Sequence, residues 1–217
     1  TPSTSVNPIT TTTYQATVTN ALGCTRTSTV AVTVNPIPAN PSTTGSEQCG
    51  TVIPSASVSS NSGEPTPTFK WYTAPTGGTA VQTNVSTTYL STVGTTTTFY
   101  VSEITTFGCE SGRTPVTITV SDPDVLTVTS STGLSACVGE TFTLSSSYTP
   151  DFNTFATFDL TATGGAGSGV TGTVALTPNA TGSDPYSLTV TAPGTYVYTI
   201  TANDPDKGCT SVGTVTV

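Results

Sequence analysis

The chain has 217 residues, a formal net charge of −8, 7% charged residues and no histidine, where an ordinary soluble domain is about 25% charged. Four cations, Arg26, Lys70, Arg113 and Lys207, are too few to release counterions from a polyphosphate or to dock on an anionic bilayer, so nucleic acid and electrostatic membrane binding are excluded. No run approaches the roughly 18 apolar residues of a membrane-spanning helix, and the length suits one large domain or about two of ordinary size.

Thr accounts for about one residue in four, beside 20 Gly and 16 Pro. β-branched Thr suits a pleated strand, and Gly and Pro suit turns. The composition therefore predicts an all-β chain of short strands. Recurring Val, Ile, Phe and Tyr supply a core that a disordered polar chain would lack. The sequence starts without Met and shows no signal peptide, which reads as an internal piece of a longer protein.

In chain order, the first predicted element is the strand Thr13–Thr19, followed by a loop ending in Gly23-Cys24 and a strand at 29–34. Asn35-Pro36-Ile37-Pro38 then breaks the pattern, because proline cannot join a central strand and stiffens a link. An early cysteine, Cys49, precedes the strand Phe69-Lys70-Trp71-Tyr72. There, alternation puts Phe69 and Trp71 on one face, and Trp71 is expected in the core. Thr98–Glu103 leads to Gly108-Cys109 and a strand at 115–120. Asp122-Pro123-Asp124 forms a second, shorter junction. Cys137 is again an early cysteine, and Thr195–Thr201 leads to Gly208-Cys209 and a strand at 212–217.

The strand, Gly-Cys loop and closing strand thus occur three times, with the cysteines 85 and 100 residues apart, about one β-sandwich each. The expected organisation is the end of a module at 1–36, an immunoglobulin-like module at 37–121 and another at 122–217, linked as a rod. Five cysteines with no His and no Cys-x-x-Cys pair point to disulfides and an extracellular setting rather than zinc. Repeat position pairs Cys49 with Cys109 and Cys137 with Cys209, and leaves Cys24 for a cysteine upstream of the fragment.

Chemistry is sparse. Without histidine no Ser-His-Asp triad can form, and no Ser-x-x-Lys spacing replaces it. Glu47, Glu64, Glu103, Glu110 and Glu140 read as solvated loop or strand-edge carboxylates rather than a glycosidase pair. The glycine-rich stretch 164–169 reads as a flexible loop tip, not a phosphate cradle. No catalytic residue, cofactor or metal ligand is assigned. Calcium is the alternative, at Asp122 and Asp124 or at Asp204 and Asp206, although Asp-Pro is also an ordinary turn signal. Lys70 is the one position to inspect for a Lys–Asn isopeptide bond. Asn84 and Asn179 lie in sequons.

The order Trp71-Tyr72-Thr73-Ala74-Pro75-Thr76-Gly77-Gly78-Thr79, then Thr87-Thr88-Tyr89, then Thr97-Thr98-Phe99-Tyr100-Val101-Ser102, then Gly108-Cys109-Glu110-Ser111 resembles the immunoglobulin-like repeats of giant Bacteroidetes surface adhesins. These are exported by the type 9 secretion system and include adhesins of gliding motility. Gly194-Thr195-Tyr196-Val197-Tyr198-Thr199-Ile200 resembles the related PKD-like repeats. The resemblance implies a non-enzymatic stalk segment on the outer cell surface. Its partners would be neighbouring modules of the same chain, with surface polysaccharide or the secretion and gliding machinery as further ones. The alternatives are a carbohydrate- or protein-binding module, for which Tyr72, Tyr89 and Phe107 should form an exposed cluster, and an accessory module of a secreted polysaccharide-degrading enzyme.

Overall fold

A computed structural model describes residues 3–217, and the described residues are β-strands, turns and one 3-10 turn. By contacts, the chain divides into two compact units. One holds the residues up to Thr44 with Ala56–Tyr89 and Thr98–Val116; the other holds Gly45–Ser55, Leu90–Thr97 and Thr117–Val217.

The first unit begins with a hairpin of β1 (Thr12–Thr19) and β2 (Thr25–Val32), in register from Thr12↔Val32 to Thr19↔Thr25. Its turn is set by the sequence. Gly23 N–H donates to Asn20 O (3.0 Å), Asn20 N–H donates to Cys24 O (3.0 Å), and Gly23 takes φ +85°. That is a three-residue loop closed by a left-handed residue, where a Cβ would be strained. The loop recurs at Thr105–Cys109, with bonds of 2.9 and 3.0 Å and Gly108 at φ +81°. The Gly of each Gly-Cys pair is therefore a turn requirement, and it delivers the cysteine to the start of the returning chain.

Between Ser42 and Ser121 run β3 (Ser42–Thr44), β4 (Ser46–Cys49), β5 (Ser57–Ser59), β6 (Thr68–Tyr72), β7 (Gln82–Asn84), β8 (Thr97–Ile104) and β9 (Thr114–Ser121). In the first unit β3 pairs with β5, and β6 lies antiparallel to both β7 and β8. Alternation along β6 buries Phe69 and Trp71. The Trp71 ring centroid lies 5.4 Å from Tyr89 and 6.1 Å from Phe99, and Tyr89 and Phe99 are 4.5 Å apart. Such tilted and edge-on rings pack better than face-to-face stacks, so Trp71 is the centre of an aromatic core.

The second unit contains a complete sandwich. Its strands are β10 (Thr127–Ser130), β11 (Thr141–Ser147), β12 (Thr157–Thr163), β13 (Val174–Leu176), β14 (Pro178–Asn179), β15 (Gly182–Thr189), β16 (Val197–Asp204) and β17 (Cys209–Thr216). They form two four-stranded sheets, β10-β11-β15-β14 and β13-β12-β16-β17. Val128, Phe142, Leu144 and Leu188 from the first meet Phe158, Leu160, Leu176, Tyr198 and Ile200 from the second in one core, the arrangement of two sheets facing each other through alternate residues. The glycine-rich stretch is not a flexible tip. Ala166–Ser168 is a 3-10 turn with Ser168 buried, and the Tyr198 hydroxyl donates to Ser168 O at 2.7 Å. In this unit β4 runs parallel to the end of β9, Ser46↔Ile118 to Cys49↔Ser121.

Candidate functional site

The polar groups gather at three places. The first is a clasp at the end of β4. Cys49 N–H donates to Lys207 O (3.1 Å), Glu47 and Lys207 form an ion pair (3.0 Å), and Cys49 is disulfide-bonded to Cys209 with Cα atoms 5.2 Å apart. This corrects both expected pairings, Cys49–Cys109 and Cys137–Cys209. Cys24, Cys109 and Cys137 carry free thiols in the structure.

The strand register gives the physical reason. Cys49 stands beside Ser121 at the end of β9, whereas Cys109 precedes the start of that strand at Thr114. A strand of eight residues separates such positions by roughly 23 Å, while a disulfide spans Cα atoms about 4.4–6.8 Å apart. Cys137 and Cys209 are separated in the same way. Cys137 lies beside the start of β11, where Gly139 N–H donates to Val190 O; Cys209 pairs with Asp204 at the far end of β16. Cys109 Sγ instead lies 3.9 Å from Asn35 O.

The second place is an Asp–Asn–Asp hub in the second unit. It brings together one residue from each suggested calcium pair. Asp124 accepts the N–H groups of Phe152 (3.1 Å) and Asn153 (2.8 Å), and Asp124 N–H donates to Asn153 Oδ1 (2.8 Å). Buried Asp204 accepts from Asn153 Nδ2 and Thr154 N–H on one oxygen (3.1 Å each), and from Asp206 N–H (3.1 Å) and Lys207 N–H (3.3 Å) on the other. Burial opposes its charge, but these donors outweigh burial and hold its carboxyl below the usual value. The Lys207 ammonium donates to Phe152 O and lies 4.3 Å over the Phe152 ring.

Donors and an ammonium thus occupy the coordination positions that a hard cation would need. Among the described residues no three His, Cys, Asp or Glu side chains are placed to share a metal. Asp122 and Asp206 bring no carboxylate bond to the hub. Calcium at millimolar concentration, or its chelation, is accordingly expected to leave the melting temperature unchanged. A clear upward shift with calcium would show that the hub rearranges to bind it.

The third place is the end of β8 in the first unit. Glu110 accepts from Ser102 Oγ (2.6 Å), Tyr72 hydroxyl (2.6 Å) and Lys70 Nζ (3.0 Å), and the Arg113 guanidinium stacks 3.2 Å over the Tyr72 ring. Burial opposes the Glu110 charge, but the hydrogen bonds from Ser102, Tyr72 and Lys70 prevail, and its pKa falls to about 2. A folded-state pKa below the unfolded one stabilises above the unfolded value, and that stability is lost as pH falls through the folded value. Acid should therefore weaken the first unit progressively between about pH 4.5 and 2. The difference corresponds to at most roughly 3 kcal/mol, and less in practice because Glu110 keeps 32% of its side-chain surface. Urea titrations at pH 6 and pH 3, with Glu110→Gln as reference, check this; an unchanged pH dependence in the variant would refute it.

Lys70 is thereby an ion-pair residue with 28% exposure, not a buried lysine set against an asparagine. Of the aromatic trio, Tyr72 and Tyr89 are buried and only Phe107 is exposed, which corrects the expected surface cluster. Glu103 is not the solvated carboxylate expected. It is fully buried; its Oε1 accepts from Ser60 Oγ (3.0 Å) and Ser62 Oγ, and its Oε2 has no partner among the described residues. Glu140 accepts from Cys137 N–H at 2.8 Å. The carboxylates Glu47, Glu103, Glu110 and Glu140 are each engaged with partners of their own rather than with one another.

Residues 38–121 match the family described as "Ig-like domain CHU_C associated". No curated protein matches the chain. Among solved structures, the Clostridium thermocellum CbhA fibronectin(III)-like modules align at 16% identity and TM-score 0.36, over 82% of this chain and 93% of that one. The chicken CNTN1 FN1–FN3 domains align at 12% identity and TM-score 0.40, over 94% and 73%. Drosophila N-cadherin EC1–4 aligns at 11% and 0.28, over 97% and 59%. The chain is an all-β protein of several sheets that carries an immunoglobulin-like domain of the CHU_C-associated type, and these comparisons identify no catalytic domain in it. The domain type and the disulfide suggest a secreted protein.

Proposed function

We propose that this chain is a structural stalk segment of a secreted, repeat-containing cell-surface adhesin, exported by the type 9 secretion system and serving attachment or gliding. The observation that carries the reading is where the polar chemistry goes. Glu110, Asp124, Asp204, Glu47 and Lys207 are each bonded to groups within their own unit, so they hold strands and loops in place. The boundaries 1–36, 37–121 and 122–217 belong to the same proposal, with the Gly-Cys hairpin marking the end of each copy.

The test is replacement. In the parent protein, residues 37–217 are exchanged for two unrelated β-sandwich modules of equal length. A stalk predicts that surface attachment is retained; lost attachment with normal export and display would overturn the reading. A binding module is the second reading. It rests on Phe107 and Ile37, 70% and 74% exposed, which line one groove with Pro36 and Pro38. Loss of attachment in Phe107→Ala with an unchanged melting temperature would favour it.

A further inference from the structure

The β1–β2 hairpin is a repeat of two others whose inner faces are covered, whereas among the apolar residues of its own inner face only Tyr14 and Val32 are half-buried, in a groove that Thr4 and Val6 also line. Directly paired residues of an antiparallel hairpin point to the same side, so Tyr14, Ala16 and Val18 share a face with Val30 and Val32, and with Thr12, Ser28 and Arg26, the last opposite Val18 next to the turn. The repeat aligns Val18 with Ile200 and Val30 with Val116. Ile200 and Val116 are 0% and 3% exposed, whereas Val18 and Val30 are 69% and 61% exposed. The opposite face is Thr13, Gln15, Thr17, Thr19, Thr25, Thr27, Thr29 and Ala31, polar but for one alanine, like the outer face of a sandwich. A lone two-stranded hairpin is marginal in water, and an apolar face opposite a Thr face is a half-sandwich pattern.

Resting on the reading of residues 1–36 as the end of a module proposed above, we infer that this face is the docking surface for the early-strand sheet of that same module, carried on polypeptide that precedes the hairpin. The third copy identifies the occupant. There, β16 of the equivalent hairpin is covered by Val128, Phe142, Leu144 and Leu188, on strands that come before it in the chain. The described residues ahead of β1 contain no strand; Thr4 and Val6 line the groove beside Tyr14 but leave Val18 and Val30 exposed, so the covering sheet is not among them. It is a sheet with alternating apolar residues, and it completes the core that Tyr14, Ala16, Val18, Val30 and Val32 begin.

The experiment compares this chain with the full-length parent by amide hydrogen exchange over residues 12–32. Covered, the strand amides should exchange on the order of a hundredfold more slowly in the parent than in the chain alone. Val30→Lys should abolish that protection, whereas Thr29→Lys on the outer face should keep it. Three results overturn the inference. One is equal exchange in both proteins; another is a parent sequence with no strand-rich module before the hairpin. The third is concentration-dependent protection of the isolated chain with a doubled mass by light scattering, which would make a second copy the occupant.

Discussion

Reduction of the Cys49–Cys209 bond is expected to give the largest loss of stability short of core disruption. The bond closes a loop with a sequence separation of 160, and such a cross-link removes up to about 5 kcal/mol of chain entropy from the unfolded state. It also releases the end of β4, which is otherwise held by the Lys207 carbonyl and the Glu47–Lys207 pair. Calorimetry with and without reductant should show a fall in melting temperature, reproduced by Cys49→Ser. Alanine at Cys24 or Cys137, both exposed free thiols, should change nothing. A non-reducing peptide map must recover the 49–209 linkage; recovery of 49–109 or 137–209 in its place would contradict the register argument.

Trp71→Ala is expected to cost about 3–5 kcal/mol, the range for a fully buried aromatic replaced by a methyl group. The indole is 0% exposed and contacts Tyr89 and Phe99, so no neighbour can close the cavity without losing its own ring contact. For a domain of this size the melting temperature of the first unit should drop by roughly 15 °C or more. Trp71→Phe should lose much less, because it keeps one ring in the cluster. Trp71 is also the only tryptophan. Its fluorescence in the native protein therefore reports the first unit alone, while calorimetry reports both. A loss below about 1 kcal/mol in Trp71→Ala would mean that the cluster is not the core of this unit.

The hairpins could be read from the sequence because they are local. Alternation in Thr195–Thr201 and a glycine that must take a left-handed φ at 108 are encoded within a few residues. Trp71 was legible for the same reason: an apolar partner two positions away marks a buried face. The disulfide partner was not, since repeat position places a cysteine early or late in a module but does not say at which end of the strands it emerges. That depends on β4 pairing parallel to β9, about seventy residues later. Glu103 misled because it fills a core position that Ile200 occupies in the third copy. Its hydroxyl partners, Ser60 and Ser62, come from 43 and 41 residues away. The hub of Asp124, Asn153 and Asp204 likewise joins loops with separations of 29 and 51 residues, and no local motif announces it.

The parallel pairing of β4 with β9 has a mechanical meaning. Ser46 is opposite Ile118 and Cys49 is opposite Ser121, so a pull on the incoming chain drags β4 backwards while a pull on the outgoing chain drags β9 forwards. The two strands are then asked to slide past each other lengthwise. With the Cys49–Cys209 bond reduced, their backbone hydrogen bonds share the load at once, instead of opening singly from one end like a zip; with it closed, the covalent bond takes the pull first. A joint of this kind resists stretching far better than its modest number of bonds suggests, which suits the stalk role proposed above.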